Sequence, residues 1–424
     1  MGLPLACTFG KHGANVTVSD IDAALVRMLQ SGQCPYDEPG LAPLIANLRA
    51  SGRLHAVTDS TAAASTADCI VIIVPAHLTA EREIDFGTLK AASAQVGKGL
   101  RRGTLVVYET TVSVGGTRRH LIPVLEQHSG LRAGVDFQVA YSPERVKANL
   151  VLERLETTPK VVGGLDGDSL ERAASMYGQY LNSPVDRVGT LEAAEMTKLL
   201  GMLYRDVNIA LANELAAFCE LADIDFDRVR TAANRDGEAS VLLPGIGVGG
   251  HCTPVYPYFL TRESRRLGLL QRISEAAREI NDHQPARQLD RLAAAWKPLE
   301  GRRVLVMGFG FRPGVKVDTL SPAYALLDEL SRRGAVAMLT DPYYSDDELR
   351  QAGFATGTLA DSEAVVLNTA HQQFADADFA AWRRHGIEAV LDGRNLWSQH
   401  AAEAAGLVYL GIGRAATSRS TKPV

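Results

Sequence analysis

The sequence lacks the features of a disulfide-stabilised, zinc-binding or membrane-spanning protein. Of 424 residues only five are cysteine, an odd number without paired spacing, which argues against a disulfide framework and against a zinc knuckle. The longest apolar runs, such as 69–76, have the length of a strand and fall well short of the ~20 residues that cross a bilayer. We therefore predict no metal, no membrane span and a reducing compartment.

The sequence also lacks an excess of positive charge. With 44 Lys and Arg against 49 Asp and Glu, the formal net charge is −5, which offers no basic surface for nucleic acid or anionic lipid. The start, Met1 to Cys7, superficially resembles a lipoprotein cleavage box but has neither the basic nor the apolar region of a signal peptide. At 46% hydrophobic residues the chain can bury two or three cores, so we predict a cytoplasmic multidomain protein with a small ligand.

Short β-branched runs alternate with helical stretches in the first 190 residues, which is typical of βαβ units and a mostly parallel sheet. The predicted strands are 15–19, 68–74, 104–108, 137–140 and 161–162. Because the run from Cys69 to Val74 is apolar on both parities, we expect a central strand that helices cover on both faces.

A helical middle follows. Residues 191–222 contain no proline and one glycine, and their 3.6-residue periodicity predicts a single helix of about 48 Å. A second helix is predicted over 271–296, with a kink at Pro285. A new βα pattern begins at 303–310, with strands at 335–340, 364–367 and 389–391. The predicted fold is α/β, with two Rossmann-like domains of parallel strands joined by a helical domain, divided as 1–189, 190–297 and 298–414, with a tail at 415–424.

The loop that connects the two long helices contains the most informative motif, Gly245-Ile-Gly-Val-Gly-Gly-His-Cys252. Its glycines allow main-chain N–H groups to close on a phosphate or an oxyanion. Cys252 is a candidate thiolate nucleophile, and a buried structural cysteine is the alternative.

Other candidates lie on predicted helices and strand ends. Lys198 could stabilise an oxyanion, or it is a solvated helix charge. Glu144 and Thr111 follow strands, at the edge where open α/β sheets bind ligands, although helix caps are equally consistent. Asp20 stands eighteen residues after Gly2, about the spacing between the last glycine of a dinucleotide fingerprint and its ribose-binding acid. The turn Gly308-Phe-Gly310, with Arg312 nearby, suits a nucleotide phosphate or is an ordinary strand-end turn.

Taken together, the motifs resemble those of the UDP-glucose/GDP-mannose dehydrogenase family of NAD-dependent nucleotide-sugar 6-dehydrogenases, over almost the whole chain. The resemblance rests on an ordered set: Gly2-Leu-Pro-Leu-Ala6, Ser19-Asp-Ile-Asp22, Glu38-Pro-Gly-Leu41, Val74-Pro75, Glu109-Thr-Thr111, Ser142-Pro-Glu144, Glu195-Met-Thr-Lys198, Tyr204-Arg-Asp-Val-Asn-Ile-Ala210, Gly249-Gly-His-Cys252 and Arg278-Glu-Ile-Asn281.

The resemblance implies an N-terminal NAD domain, a central dimerisation domain that contains the cysteine loop, and a C-terminal UDP-sugar domain. It implies oxidation of a C6 alcohol to a carboxylate through a thiohemiacetal and a thioester on Cys252. Lys198 would stabilise the oxyanion, and Glu144 with Thr111 would act on water or as the base. The implied partners are a UDP-sugar and a second copy of the chain, joined through the central helices.

The implied binding residues fall into two sets. The NAD set is Gly2, Asp20, Val74, Pro75 and Thr110. The substrate set is Gly245, Gly247, Gly249, Gly250, Arg205, Arg312 and Arg235, the last reaching across the dimer interface. Three motifs look more like the UDP-N-acetylhexosamine branch, and we favour UDP-N-acetyl-D-mannosamine over UDP-N-acetyl-D-glucosamine as the substrate.

The sequence also departs from the family pattern. The family places a strand and Gly-x-Gly before the position of Met1, so the first strand of the N-terminal domain is missing, and a start codon placed too late would explain this. Met202 replaces an Asn, Tyr256 an Asp and Leu25 a Lys, and Asp318-Thr-Leu-Ser321 lacks the usual Arg. Two alternatives therefore remain: a non-catalytic dimeric paralogue that retains the UDP-sugar site or only the helical interface, and a hydroxyacid dehydrogenase of the same broad fold.

Overall fold

The computed structural model describes residues 1–79, 83–146 and 151–414, and the predicted tail lies outside them. The chain divides into two compact units, Met1–Gly201 with Tyr258–Leu269 and Met202–Pro257 with the chain from Leu270 onward. None of the helices in the described residues has both the length and the apolar composition needed to span a membrane.

Helices and strands alternate up to residue 190, as predicted. Polar caps begin several of the helices: Asp22 accepts the N–H groups of Ala24 and Leu25, and Asp166 accepts that of Ser169. The elements are α1 (Gly2–Lys11), β1 (Val16–Ser19), α2 (Ala23–Gln30), α3 (Leu41–Ala50), β2 (Leu54–Val57), α4 (Ser60–Ala64), β3 (Cys69–Ile72), β4 (His77–Leu78), β5 (Ile84–Asp85), α5 (Gly87–Gly99), β6 (Leu105–Tyr108), a π-helical turn (Thr117–Leu121), α6 (Ile122–Ser129), β7 (Gln138–Tyr141), α7 (Val151–Thr157), β8 (Lys160–Gly164), α8 (Gly167–Leu181) and β9 (Val185–Thr190).

The middle of the chain is helical. The prediction of a single helix over 191–222 is confirmed, with the same bounds. Pro285 lies inside the second long helix. The elements are α9 (Leu191–Ala222), α10 (Phe226–Ala233), α11 (Tyr256–Arg266) and α12 (Arg272–Ala295).

The C-terminal part repeats the βα pattern. Ser321 caps its first helix, and Pro322 occupies the first helical position, where its missing N–H costs nothing. The elements are β10 (Arg303–Met307), α13 (Pro322–Arg332), β11 (Val336–Thr340), α14 (Asp346–Gln351), a 3₁₀ turn (Leu359–Asp361), β12 (Ala364–Leu367), a second 3₁₀ turn (Gln372–Phe374), α15 (Phe379–Arg384), β13 (Ala389–Asp392), α16 (Gln399–Ala404) and β14 (Val408–Gly411).

The C-terminal strands form a five-stranded parallel sheet in the order β11-β10-β12-β13-β14. Successive residues of β10 enter different cores: Val304 and Val306 join one cluster, and Leu305 and Met307 join the other. A strand that is apolar on both parities is therefore covered on both faces here.

The N-terminal strands form a five-stranded sheet, β3-β6-β7-β8-β9, and a separate two-stranded sheet, β1-β2. Pairing is parallel in both except between β7 and β8. A further short antiparallel pair joins β4 to β5.

The prediction of a central strand at Cys69–Val74 is wrong. The strand β3 ends at Ile72 and lies at the edge of the five-stranded sheet, with Cys69 exposed. An apolar run indicates that both faces of a strand can pack against other elements. It does not indicate how many neighbouring strands form hydrogen bonds with it. Among the described residues only β6 pairs with β3, because β1 and β2 form a sheet of their own.

Candidate active site

Part of the candidate site lies at the carboxyl edge of the N-terminal five-stranded sheet. Ile72, Tyr108 and Tyr141, at the ends of β3, β6 and β7, are in register, so the following segments leave the sheet side by side. Open α/β sheets bind ligands at this edge. The predicted residues on these segments are Val74, Pro75, Thr110, Thr111 and Glu144, of which Thr111 is buried.

Glu144 has one carboxylate oxygen engaged and one open. Oε1 accepts hydrogen bonds from the main-chain N–H groups of Arg145 and Val146, at 2.6 and 2.8 Å. Oε2 is buried, has no hydrogen bond within the described residues and lies 3.5 Å from Nζ of Lys160. Burial opposes ionisation, but Lys160, the two N–H groups and Lys198 outweigh it and lower the pKa of Glu144. An ionised carboxylate with an open oxygen can accept a proton from water or an alcohol.

Lys198 approaches the same residue from helix α9. Its Nζ donates a hydrogen bond to the main-chain oxygen of Glu144, at 2.5 Å. One turn earlier, Glu195 accepts the main-chain N–H groups of Gly115 and Thr117, at 2.5 and 2.9 Å, and burial raises its pKa to about 7. This carboxylate fixes the start of α9 to the segment that follows β6 and so holds Lys198 beside Glu144.

Beside Glu144 lies a buried ion pair that the sequence analysis missed. Lys160, the first residue of β8, donates a hydrogen bond to Oε2 of Glu109 at 2.8 Å. The hydroxyl of Tyr177 donates to the other oxygen of Glu109. Burial opposes the charge on Lys160, but Glu109 and Glu144 outweigh it and raise its pKa. A lysine at the start of the otherwise apolar strand Lys160–Gly164 is the signal that could have revealed the pair, because buried charges require partners.

Three of the residues predicted to bind NAD lie at the start of α1 and on the segments that follow β3 and β6, namely Gly2, Val74 and Thr110. A Cβ atom on Gly2 would lie 2.8 Å from Cγ2 of Ile73, so glycine allows α1 to approach the segment after β3 closely. The hydroxyl of Thr110 donates a hydrogen bond to the main-chain oxygen of Val74 and ties the two segments together. Asp20 follows β1, and its carboxylate accepts a main-chain N–H two residues further on, at 2.9 Å.

The second unit contains the glycine-rich loop, and close packing explains its glycines. A Cβ on Gly247 would lie 2.8 Å from Pro322, and one on Gly249 would lie 2.6 Å from Cβ of Phe311. Gly250 has φ +93°, and a Cβ atom there would lie 2.9 Å from the ring of Phe311. Only glycine permits this approach of the loop to its neighbours.

A buried polar network holds the start of this loop. The N–H of Gly245 donates to Oδ1 of Asn213 at 2.9 Å, and Nδ2 of Asn213 donates to Asn281 at 2.9 Å. Asn281 donates in turn to Oδ1 of Asp206 at 2.9 Å, and Arg278 donates to the same oxygen at 2.6 Å. Burial raises the pKa of Asp206 to about 6. The network joins α9 and α12 to the loop.

Cys252 lies half-buried at the end of the loop, and three residues separate it from the first residue of α11. Its main-chain oxygen accepts hydrogen bonds from the N–H groups of Val255 and Tyr256, at 3.2 and 2.9 Å. The cysteine is not part of a disulfide. The N-terminal end of a helix stabilises a thiolate. Cys7, in contrast, is buried, and burial raises the pKa of its thiol to about 12, as suits a structural cysteine.

The predicted substrate-binding arginines occupy different positions. Arg312 is half-buried in the loop after β10. Arg205 on α9 and Arg235 after α10 are exposed, and their side chains make no hydrogen bond within the described residues. Among the described residues, neither arginine therefore donates a hydrogen bond to the glycine loop of its own chain.

Arg394 is a further cation that the sequence analysis missed. Its Nη1 lies 2.6 Å from the position that a Cβ on Gly245 would take, and its Nε donates to the main-chain oxygen of Asn368 at 2.6 Å. Burial lowers its pKa to about 10. The signal was its position, two residues after β13, at the carboxyl edge of the C-terminal sheet.

A cleft of about 500 Å³ opens beside the glycine loop, a size that suits part of a nucleotide. Its lining includes Gly247, Val248, Asn281, Leu320, Ser321 and Tyr324. Leu320, in the segment Asp318–Ser321 that lacks the usual Arg of the family, is 53% exposed and has φ +48°.

Three sequence models of one family match the chain: the NAD-binding domain at 1–181, the central domain at 192–283 and the UDP-binding domain at 305–399. The chain belongs to the UDP-glucose/GDP-mannose dehydrogenase family. It is an NAD-dependent UDP-sugar dehydrogenase, as the resemblance implied, and the prediction of two Rossmann-like domains with a helical middle is confirmed.

Relatives of this dehydrogenase cover nearly the whole chain. It is 30% identical to UDP-N-acetyl-D-mannosamine dehydrogenase of Pyrococcus horikoshii, over 98% of this chain and 97% of the relative. It is 31% identical to UDP-glucose 6-dehydrogenase AglM of Haloferax volcanii, over 93% and 95%. The solved structure of the UDP-D-ManNAc dehydrogenase from Pyrococcus horikoshii superimposes with a TM-score of 0.88 at 28% identity, over 97% of both chains.

The positions at which this dehydrogenase departs from the family pattern lie in several parts of the chain. Met202 and Leu25 are half-buried on α9 and α2. Tyr256 is the first residue of α11. Leu320 lines the cleft beside the glycine loop.

Proposed function

We propose that this dehydrogenase oxidises the C6 alcohol of UDP-N-acetyl-D-mannosamine to the uronate, with Cys252 as a covalent nucleophile. The observation that carries the proposal is the placement of Cys252, half-buried before a helix, at the end of a loop whose glycines are packed against Phe311 and Pro322. The names of the relatives support this substrate class, since the Pyrococcus enzyme acts on UDP-N-acetyl-D-mannosamine and covers nearly the same length.

The chemistry needs a group that retains the half-oxidised sugar. The thiolate of Cys252 adds to the C6 aldehyde, and the resulting thiohemiacetal is oxidised to a thioester. Water then cleaves the thioester to the carboxylate and the thiol. Glu144, with its open Oε2, accepts the proton of the alcohol or of the water, and Thr111 lies on the neighbouring segment. Lys198 supplies positive charge where an oxyanion develops.

NAD accepts hydride when it is bound. The residues at the start of α1 fit a dinucleotide, because Gly2 leaves no Cβ between this helix and the strand segment at Ile73. Gly2, Val74, Pro75 and Thr110 would line this end of the cofactor, and Asp20 would bind the adenosine ribose.

The second unit would hold the sugar nucleotide. The loop from Gly245 to Gly250 wraps the diphosphate, with Arg312 and the buried guanidinium of Arg394 as cations at the same loop and sheet edge. We retain the functional division into an NAD part at 1–189, a central part at 190–297 and a UDP-sugar part at 298–414. Free cysteines and NAD chemistry support a cytoplasmic location.

A second copy of the chain is part of the proposal. Tyr204, Leu211, Leu215 and Phe218 recur at helical spacing on α9 and are 40–63% exposed. An apolar stripe of this kind on a long helix favours helix-to-helix pairing at a two-fold axis. The exposed Arg205 and Arg235 would then be available to the partner's sugar nucleotide.

The decisive experiment is an NADH assay of the full chain with UDP-N-acetyl-D-mannosamine, UDP-N-acetyl-D-glucosamine and UDP-glucose. We expect the first to be preferred, with two NADH formed per sugar. Cys252→Ala should lower the rate about a thousandfold or more, whereas Cys69→Ala, at an exposed position, should not. Unchanged acid formation by Cys252→Ala would exclude the covalent mechanism. Failure to bind NAD in calorimetry would favour the non-catalytic paralogue.

A further inference from the structure

In the first unit a single ammonium group lies between two buried carboxylates. Nζ of Lys160 is 2.8 Å from Oε2 of Glu109 and 3.5 Å from Oε2 of Glu144. The three side chains are 7%, 0% and 12% exposed. Burial at this level makes each charge dependent on the others, because little water is available to screen them.

We propose that Lys160 is a positioning residue that keeps Glu144 ionised while leaving its Oε2 open to receive a proton, and that Glu109 and Tyr177 hold Lys160 for this purpose. The inference rests on the proposed role of Glu144 as the base. It assigns a role to Lys160, Glu109 and Tyr177, none of which takes part in a step of the proposed reaction.

The geometry separates the roles of the two carboxylates. Glu109 forms the close hydrogen bond with Lys160, and its other oxygen accepts the hydroxyl of Tyr177. The ring centroid of Tyr177 also lies 5.0 Å from Nζ of Lys160. Both oxygens of Glu109 are therefore committed, and the ammonium is fixed from two sides.

Glu144 is held differently. Its Oε1 is occupied by the main-chain N–H groups of Arg145 and Val146, which fixes the plane of the carboxylate. Its Oε2 lies 3.5 Å from Nζ of Lys160 and accepts no hydrogen bond from the residues that the structure describes. A base needs this combination, since a full hydrogen bond from the ammonium would compete with the incoming proton.

Other charges also face Glu144. Lys198 on α9 donates to its main-chain oxygen. The α-amino group of Met1, the residue before α1, has its pKa lowered by burial, whereas the negative charges of Glu144, Glu109 and Glu38 raise it. Of these cations, Lys160 is the one that forms an ion pair with a side-chain oxygen of Glu144 among the described residues.

Two substitutions should therefore move the ionisation of Glu144 in opposite directions. Lys160→Met leaves two buried carboxylates without the cation between them, so Glu144 should hold its proton to higher pH, by about 1–3 pH units. Glu109→Gln removes a neighbouring negative charge and leaves the ammonium group of Lys160 to interact with Glu144 alone. The titration of Glu144 should therefore move to lower pH. Lys160→Arg should stay near wild type. Lys98→Met on the exposed face of α5 is the matched control.

The measurements are the pH dependence of kcat/KM for NADH formation and the ¹³C titration of the Glu144 carboxyl group, which Glu144→Gln identifies. Opposite shifts in both measurements are expected. An unmoved Glu144 titration in folded Lys160→Met overturns the proposal, as do shifts of the same sign in the two variants. If Lys160→Met does not fold, the test rests on Glu109→Gln. An unmoved Glu144 titration in that variant overturns the proposal as well.

The two readouts separate this inference from the proposed function. The ¹³C titration requires no turnover, so the expected shifts in a protein that oxidises no UDP-sugar would contradict the proposed reaction and leave the role of Lys160 supported. Full activity with neither shift would contradict only the role of Lys160.

Discussion

Asn213 on helix α9 accepts the main-chain N–H of Gly245 at 2.9 Å, and this contact ties the loop that ends in Cys252 to a buried network. The other end of the same amide donates to Asn281, which in turn contacts Asp206. A main-chain group of the loop is thereby fixed by side chains of two long helices.

We expect Asn213→Ala to destabilise the protein and to slow the reaction. The N–H of Gly245 would be left buried without a partner, which costs about 1–3 kcal/mol of unfolding free energy. Urea denaturation measures this loss, and steady-state kinetics should show a fall in kcat. Asn47→Ala, at an exposed position on α3, is the control and should change neither. Equal stability of Asn213→Ala and wild type would contradict the role of the network.

Gly249→Ala should impair the dehydrogenase by displacing the loop. The new Cβ would lie 2.6 Å from Cβ of Phe311 and 2.9 Å from the main-chain oxygen of Leu320, so the backbone has to move. Overpacking of this kind costs about 1–3 kcal/mol, and misplacement of Cys252 by about 1 Å lowers the rate on the order of a hundredfold. In Gly178→Ala on α8 the added Cβ meets nothing within 4 Å. Gly178→Ala should therefore retain full activity. Equal activity of Gly249→Ala and Gly178→Ala would contradict the need for close packing at Gly249.

Glu195 should make the protein less stable as pH rises. Because burial raises its pKa from 4.5 to about 7, the protonated form is favoured by folding. The contribution of Glu195 to the free energy of unfolding is therefore fully present below about pH 4.5 and is lost as pH rises through about 7. Relative to Glu195→Gln, the free energy of unfolding should change by about 3 kcal/mol over this range. Denaturation of both proteins across this range measures the difference.

Glu192 provides a control of opposite sign on the same helix turn. The hydrogen bond from Arg118 lowers the pKa of Glu192, so its contribution is present above its ordinary pKa and is lost only as pH falls below that value. Glu192→Gln should therefore differ from wild type above that range and converge with it in acid. A Glu195 contribution that grew with rising pH would contradict the sign predicted here.

The apolar stripe on α9 predicts a dimer that charge can disrupt. Leu215→Glu combined with Phe218→Glu would place four carboxylates at a two-fold interface and weaken association at least about a hundredfold. Sedimentation velocity measures the oligomeric state. Val336→Glu, at an exposed valine on β11, should remain a dimer. A wild-type monomer at micromolar concentration would contradict the proposed pairing.

Local patterns predicted the elements whose burial follows a simple period. The helix Leu191–Ala222 and the strand Ala364–Leu367 have the bounds that periodicity indicated, because every turn or residue pair repeats the same environment. The positions of Thr111 and Glu144 after β6 and β7 could be predicted, because the carboxyl edge of a parallel sheet is a fixed geometric location.

Contacts between distant segments could not be predicted in this way. Lys160 and Glu109 are 51 residues apart in the sequence, and Arg394 lies beside Gly245, which precedes helices α11 and α12. No periodicity encodes which strand end faces which loop. The error at Cys69 has the same origin, since an apolar run reveals the two faces of a strand but not its hydrogen-bonding edges.

The edge position of β3 has a practical consequence for handling the protein. Cys69–Ile72 and Val16–Ser19 each present outward N–H and C=O groups that no strand among the described residues satisfies on one side. Rows of this kind accept an extended segment of another molecule. Turbidity that rises with concentration, and falls when Val71 is replaced by lysine, would locate self-association at this strand rather than at the paired helices.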